Sequence, residues 1–191
     1  PLLANFIATS TQVNLSLLNG NSREIEAALQ EHRIDLGLVE GICRLPNLRY
    51  TTFLQDELVA VVHTGSKLSL PDEITPEDLS RIPLVLRERG SGTLDVFERA
   101  LSEHNMKLSS LNVLLYLGST ESIKLFLEHT DCIGIVSIRS ISRELLSGTF
   151  RVIEIKGMPM LREFCFAQPQ GQESGLSQVL MQFAMHHNKK L

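Results

Sequence analysis

Short apolar runs alternate with amphipathic stretches along this chain, and each change of spacing marks a change of predicted secondary structure. Residues 13–17 alternate apolar and polar positions with period two, as a strand does, whereas Ile25 and Leu29 lie on one face of a helix. The sequence of residues 21–24 is a capping-box pattern that predicts where this helix begins. A continuous apolar run at residues 35–39 then predicts a buried strand, which completes a strand–helix–strand unit.

The same alternation continues to the end of the chain. An acidic, proline-rich connector places a lobe boundary near His63. The pattern also predicts an early helix at residues 2–7, strands at 48–53, 58–62, 83–86, 113–117, 132–136, 150–155 and 163–167, and helices that begin near 93, 119, 138 and 176. Successive strand–helix–strand units form open parallel sheets, in which ligands bind at the carboxyl ends of the strands. We therefore expect an α/β fold with a binding site at those ends.

Two turns that contain glycine and hydroxyl residues lie at such strand ends. The first is Gly90-Ser91-Gly92-Thr93 and the second is Gly118-Ser119-Thr120-Glu121. Each opens a predicted helix, and a helix N-terminus presents unpaired N–H groups and partial positive charge to a small anion or polar ligand. One hydroxyl residue would be enough to cap the first helix, so the presence of both Ser91 and Thr93 favours a ligand.

Each candidate residue also has a structural explanation. Glycine is the residue that turns with positive φ require, and Ser119 is an adequate helix cap. Arg87 adds positive charge near the first turn, although strand alternation directs Arg87 or Arg89 to solvent. Glu40 and Ser137 each end a predicted strand. The candidate ligand-binding residues are therefore Glu40, Arg87, Gly90, Ser91, Gly92, Thr93, Ser119, Thr120 and Ser137.

Composition excludes several classes of protein. The 191 residues are 43% hydrophobic and 21% charged, which suits a globular chain with a core, and the formal net charge of −4 gives no basic surface for nucleic acid. Cys43, Cys132 and Cys165 show neither a disulfide framework nor a zinc-binding spacing. The sequence contains no catalytic motif and no apolar stretch of membrane-spanning length. We therefore expect a cytoplasmic binding domain without enzymatic activity, metal or cofactor.

The order and spacing of the motifs resemble those of the effector-binding domain of LysR-type transcriptional regulators, from one end of the chain to the other. The motifs that carry this resemblance are residues 1–6 (PLLANF), 19–22 (NGNS), 34–39 (IDLGLV), 56–62 (DELVAVV), 83–88 (PLVLRE), 90–93 (GSGT), 117–124 (LGSTESIK) and 134–137 (GIVS).

The resemblance implies a periplasmic-binding-protein-like fold of type 2, in which two α/β lobes are joined by two crossover strands and enclose a ligand cleft. Lobe I would comprise residues 1–63 and 159–191, and lobe II residues 64–158. Glu40, Ser91, Gly92, Thr93, Ser119, Thr120 and Ser137 would hold the effector. The resemblance also implies an antiparallel homodimer, with a tetramer of the full-length protein as an alternative. DNA would bind only to a winged helix-turn-helix domain, which precedes the position of Pro1 in this family.

Two other functions share this fold. A free-standing solute-binding protein would serve transport, and a prephenate dehydratase-like lyase would carry a Thr-Arg-Phe motif, whereas this chain has Gly148-Thr149-Phe150-Arg151. Regulation is the interpretation that the motifs favour. Hydroxyls and helix N-termini suit a small carboxylate, a sulfur or phosphorus oxyanion, or an aromatic acid, although the absence of Trp and the presence of only two Tyr argue against an extended aromatic site.

Overall fold

The computed structural model describes residues 2–10, 12–40, 44–171 and 175–188, so Pro1, Cys43 and Lys189-Lys190 lie outside the described residues. The α-helices are α1 (Leu2–Thr9), α2 (Ser22–Gln30), α3 (Gly92–Glu103), α4 (Thr120–Leu127), α5 (Ser142–Leu146) and α6 (Gly175–Asn188). The strands are β1 (Gly37–Glu40), β2 (Leu48–His63), β3 (Glu73–Ile74), β4 (Leu84–Arg87), β5 (Val113–Leu117), β6 (Ile133–Ser137), β7 (Phe150–Ile155) and β8 (Met160–Pro169). Short 3-10 helices form at Pro76–Ser80, Leu108–Ser110 and Ile138–Ile141.

The chain forms two compact units. The first comprises Pro1–Val39, Cys43–Leu54 and Glu163–Leu191, and the second comprises Glu40–Ile42 and Gln55–Arg162. The first part of β2, up to Leu54, thus belongs to the first unit and the rest of β2 to the second. In β8, residues up to Arg162 belong to the second unit and the rest to the first. The lobe limits at residues 63 and 159, which rest on the family resemblance, stay a prediction.

In the first unit, α2 begins at the predicted capping box. The Glu24 N–H donates to Asn21 Oδ1 over 3.0 Å, and the Asn21 N–H donates back to Glu24 Oε2 over 2.9 Å. These two bonds satisfy helix-start donors that have no partner within the helix. The apolar face of α2 is thereby directed onto strands of the unit, where the buried cluster comprises Ile25, Leu29, Val39, Leu48 and Ala167.

The structure differs from the predicted strands in two regions of the chain. Residues 13–17 form no strand, because a period-two pattern needs a partner strand to complete its hydrogen bonds and no described residue pairs with this segment. The strands predicted at 48–53 and 58–62 are one strand of 16 residues, β2, which continues through the polar residues between the two apolar runs.

The second unit contains a sheet with the order β2-β6-β4-β5. Strand β4 is parallel to both β5 and β6, with Val85 opposite Leu115 and Gly134, whereas β2 is antiparallel to β6. Helix α3 packs on one face of this sheet through the cluster that includes Leu84, Leu86, Phe97, Leu101 and Ile135. Helix α4 packs on the other face through the cluster that includes Val85, Ile123, Leu127 and Val136.

This arrangement fixes where a ligand could bind in the second unit. Because β4, β5 and β6 are parallel, their carboxyl ends lie along one edge of the sheet, and α3, α4 and the 3-10 helix at Ile138–Ile141 begin directly after them.

Within the described residues, no helix is both long and apolar enough to cross a membrane.

Candidate ligand site at the carboxyl ends of the parallel strands

The Gly90 turn connects β4 to α3 and buries two hydroxyl residues. Gly90 has a φ of 93°, in the left-handed region that favours glycine. Ser91 is the N-cap of α3, and its Oγ accepts a hydrogen bond from the Thr93 N–H over 3.2 Å. Both Ser91 and Thr93 are buried, so the start of α3 places hydroxyl groups inside the protein rather than at its surface.

Gly92 makes a close backbone approach to Glu40. A Cβ added at Gly92 would lie 2.1 Å from the carbonyl oxygen of Glu40 and 2.5 Å from its carbonyl carbon. No side chain fits at that distance from another main chain, so only glycine allows this contact. The contact brings Glu40, the last residue of β1, to the first turn of α3, and both residues belong to the second unit.

Arg162 is the centre of a buried polar cluster at this position. Its Nη1 donates to Thr93 Oγ1 over 2.9 Å and lies 2.6 Å from Glu40 Oε2. The Thr93 hydroxyl in turn donates to Glu40 Oε1 over 3.3 Å. The Arg162 side chain is 2% exposed, so its positive charge is buried among these partners.

Asp56 supplies the second carboxylate of the cluster. Arg162 Nε donates to Asp56 Oδ2 over 2.8 Å, and the Ser137 hydroxyl donates to Asp56 Oδ1 over 2.8 Å. Arg139 Nε lies 3.8 Å from the same Oδ1, while the Ser137 Oγ accepts the Arg139 N–H. The Asp56 side chain is 0% exposed, and a buried charge of this kind requires such charged and hydrogen-bonded partners.

The Gly118 turn connects β5 to α4 and is capped by serine. Ser119 Oγ accepts the Ser122 N–H over 3.1 Å and lies 2.8 Å from Ser122 Oγ. Ser119 and Thr120 are half-buried. A Cβ at Gly118 would have no atom within 4 Å, so close packing does not require glycine there. Capping therefore explains more of this turn than of the Gly90 turn.

Arg87 is paired with its neighbour in the chain. Its Nε and Nη2 donate to the two carboxylate oxygens of Glu88 over 2.8 and 3.2 Å. The Arg87 side chain is largely buried, and Arg89 is the exposed arginine of the two. Glu88 offsets the charge that Arg87 would bring to an anionic ligand.

Lys124 links α4 to α5 behind the second turn. Its Nζ lies 2.6 Å from Glu144 Oε1 and 3.0 Å from Glu121 Oε1. Burial opposes the charged form of Lys124, but the hydrogen bonds to Glu144 and Glu121 outweigh it and raise the pKa of Lys124. The hydrogen bond from Lys124 lowers the pKa of Glu144.

Among the described residues, no group of His, Cys, Asp and Glu is arranged to hold a metal ion.

The family model described as LysR substrate binding domain matches residues 1–189. The chain belongs to this family. It is the substrate-binding domain of a LysR-type transcriptional regulator, with the α/β, periplasmic-binding-protein-like fold that the sequence predicts, so the predicted family, fold class and general function are confirmed.

Regulators are found among the relatives of this LysR substrate-binding domain. The HTH-type transcriptional regulator YeiE of Escherichia coli K12 is 31% identical over 81% of this chain and 51% of its own length. The transcriptional activator CmpR of Synechocystis PCC 6803 is 27% identical over 98% of this chain and 61% of its own length. The chain thus spans about half the length of the curated relatives it matches.

The fold of this LysR domain is also similar to that of a regulatory domain whose structure has been solved. The regulatory domain of CcmR from Synechocystis PCC6803, determined in complex with 2-PG, has a TM-score of 0.86 and 25% identity, with coverage of 100% of this chain and 90% of that one. That neighbour and the two curated relatives are named as regulators.

The structure brings some of the predicted site residues of this LysR domain together. At the start of α3, Thr93 is hydrogen-bonded to both Ser91 and Glu40, and Gly92 closely approaches the Glu40 main chain. Ser137 is linked to this group through Asp56 and Arg162. No described hydrogen bond links Arg87, Ser119 or Thr120 to that group. Their roles in binding stay predictions.

Asp56 and Arg162 were missed by the sequence analysis, although a signal for both was present. Asp56 is in phase with the buried Leu58 and Ala60 of β2, and Arg162 is in phase with the buried Met160 of β8. A charged residue at a core-facing strand position needs a buried partner of opposite charge. Here Asp56 and Arg162 are partners of each other.

Proposed function

We propose that this domain senses a small metabolite with an anionic group and that the ligand binds beside the N-terminus of α3. The observation that supports the proposal is the buried set of Ser91, Thr93 and Arg162, which combines hydroxyl donors, a guanidinium and the positive end of a helix. The CcmR regulatory domain, the solved structure with 25% identity, contains 2-PG. Ser119, Thr120, Arg87 and Gly90 are proposed to complete the binding site.

Regulation would follow from a shift in the relative populations of two conformations of the domain. An effector that binds one arrangement of the domain more tightly stabilises that arrangement, and a coupling of about 1–3 kcal/mol is enough for a useful switch. The change would pass to a winged helix-turn-helix in the full-length regulator, which would act on DNA in the cytoplasm. The domain itself would need no catalytic residue and no cofactor.

Thermal stabilisation of this domain by candidate effectors tests the proposal. We expect one compound from a panel of small carboxylates, phosphate and sulfate esters, amino acids and aromatic acids to raise the melting temperature saturably. Ser91→Ala should weaken that compound's affinity while the domain stays folded. Ser102→Ala is the matched control, because Ser102 lies on the same helix but bonds only locally to the Glu98 carbonyl at an exposed position. Equal loss of affinity in both variants, or no stabilisation by any compound, would contradict the proposal.

We further propose that the full-length regulator forms homodimers, with a tetramer as the alternative. Strand β5 is at the end of the sheet order and exposes Leu114, Leu115 and Tyr116, and α4 exposes Leu125 beside it in the same unit. An exposed apolar edge of this kind is suited to burial against a second copy. In the full-length regulator, Leu125→Glu should lower the molecular mass measured by light scattering after gel filtration. Leu146→Glu, at an exposed leucine of α5, should leave that mass unchanged.

A further inference from the structure

The carboxylate of Glu40 lies where an anionic ligand of this site would bind. Its Oε2 lies 2.6 Å from Arg162 Nη1, and its Oε1 accepts the Thr93 hydroxyl, which belongs to the first turn of α3. A guanidinium, a hydroxyl donor and a helix N-terminus are the groups that recognise carboxylates and phosphates. The protein therefore places one of its own anions on its anion-recognition groups.

The two carboxylates on Arg162 differ in how firmly they are fixed. Asp56 is 0% exposed and also accepts the Ser137 hydroxyl, with Arg139 as a further neighbouring cation. Glu40 is 18% exposed. Asp56 is thus the permanent counter-ion of Arg162, and the Glu40 carboxylate is the one that solvent and ligands can reach.

The main chain of Glu40 is fixed even though its carboxylate is accessible. The close approach of Gly92 to the Glu40 carbonyl ties this residue to the start of α3. Departure of the carboxylate from Arg162 therefore requires only rotation about side-chain bonds, and Arg162 remains paired with Asp56 when it happens. An incoming anion would find the guanidinium already oriented.

We infer that Glu40 is a built-in competitor for the effector: an anionic group of the ligand replaces the Glu40 carboxylate on Arg162 and Thr93. This inference rests on the proposed effector site and names the chemistry of the ligand, which is a carboxylate or a phosphorus or sulfur oxyanion. Glu40 also sets the affinity, because every bound anion has to displace it and then remains close to its negative charge.

Inorganic phosphate is the probe that tests this competition. Its dissociation constant is measured by calorimetry at constant ionic strength for the wild-type domain and for Glu40→Gln, which removes the charge but keeps the shape. We expect the variant to bind phosphate about tenfold more tightly, which corresponds to about 1.4 kcal/mol. Arg162→Lys in the Glu40→Gln background should abolish the gain, because lysine cannot reproduce the planar contacts of the guanidinium.

Glu103→Gln is the matched control for the charge change. Glu103 is also a carboxylate paired with an arginine, Arg99, on α3, but both side chains are exposed at the far end of that helix. Equal gains in Glu40→Gln and Glu103→Gln would overturn the inference, as would phosphate binding that is unchanged, weaker or undetectable in Glu40→Gln.

Folding is checked by circular dichroism, and Glu40→Asp provides a second variant. Its shortened carboxylate keeps the charge but withdraws from Arg162, and a phosphate affinity between those of wild type and Glu40→Gln is expected. An affinity for Glu40→Asp at or below that of wild type would contradict displacement. Failure of the proposed function would differ, because the metabolite panel would give no stabilisation while the Glu40→Gln gain with phosphate persisted.

Discussion

Arg162 and Asp56 form a buried ion pair between residues 106 positions apart in the sequence, with Nε 2.8 Å from Oδ2. The pair fixes the start of β8 against β2 within the second unit and orients the guanidinium toward Thr93. The same pair therefore contributes both to the stability of this unit and to the geometry of the candidate site.

Arg162→Met should lower the free energy of unfolding by about 3–5 kcal/mol, because removal of one partner leaves Asp56 buried without its counter-charge. Urea denaturation followed by circular dichroism measures the change. Arg99→Met breaks an exposed pair on α3 and should cost less than about 1 kcal/mol. Similar losses in the two variants would show that Arg162 is not a structural centre of the cluster.

Gly92→Ala and Gly118→Ala separate the two glycine turns. The first places a Cβ 2.1 Å from the Glu40 carbonyl oxygen, so we expect a loss of stability of about 1–3 kcal/mol and weaker ligand binding. The second places its Cβ in open space and should change stability by less than about 0.5 kcal/mol. Thermal unfolding of both variants checks this, and equal stabilities would contradict the close approach.

The sequence predicted local features of the site better than long-range ones. Ser91 and Ser119 are helix caps at the ends of parallel strands. They could be predicted because a strand end and a helix start are each recognised from a few adjacent residues. The pairing of Asp56 with Arg162 depends on how two distant strands align, which neither local pattern contains. The phase of each charged residue with buried neighbours shows that a partner is needed but not which residue provides it.

The error at residues 13–17 has a related cause. The alternation of Val13, Leu15 and Leu17 is a real strand pattern, but a strand is defined by hydrogen bonds to a neighbour. No described residue supplies those bonds, and Leu15 and Leu17 are exposed. Pattern alone indicates what a segment could form, and the pairing decides whether it does.

The Lys124–Glu144 pair should make stability depend on pH at both extremes. The pKa of Glu144 is lowered in the folded state, so its contribution is present above the ordinary glutamate range and is lost as pH falls through the folded value. The pKa of Lys124 is raised, so its contribution is lost only as pH rises above the ordinary lysine range. Glu144→Gln should cost about 1 kcal/mol at neutral pH and less near pH ~3, because Glu144 becomes protonated as pH falls through its lowered folded pKa. Urea unfolding at the two pH values checks this, and a cost independent of pH would contradict it.

Tyr50 should remain protonated far into the alkaline range. Burial, followed by the hydrogen bond that its hydroxyl donates to Glu26 Oε1 over 2.6 Å, raises the pKa of Tyr50 to about 12. Because the folded value exceeds the ordinary value of 10.0, this contribution to stability is complete below that value and is lost as pH rises toward 12. The chain has two tyrosines, so Tyr116→Phe leaves Tyr50 as the only phenol in an absorbance titration of tyrosinate formation. We expect a midpoint near the raised value in Tyr116→Phe and a lower midpoint in Tyr116→Phe/Glu26→Ala, because that variant loses the hydrogen bond but keeps the burial of Tyr50. An ordinary midpoint in the single variant would contradict both causes of the raised pKa.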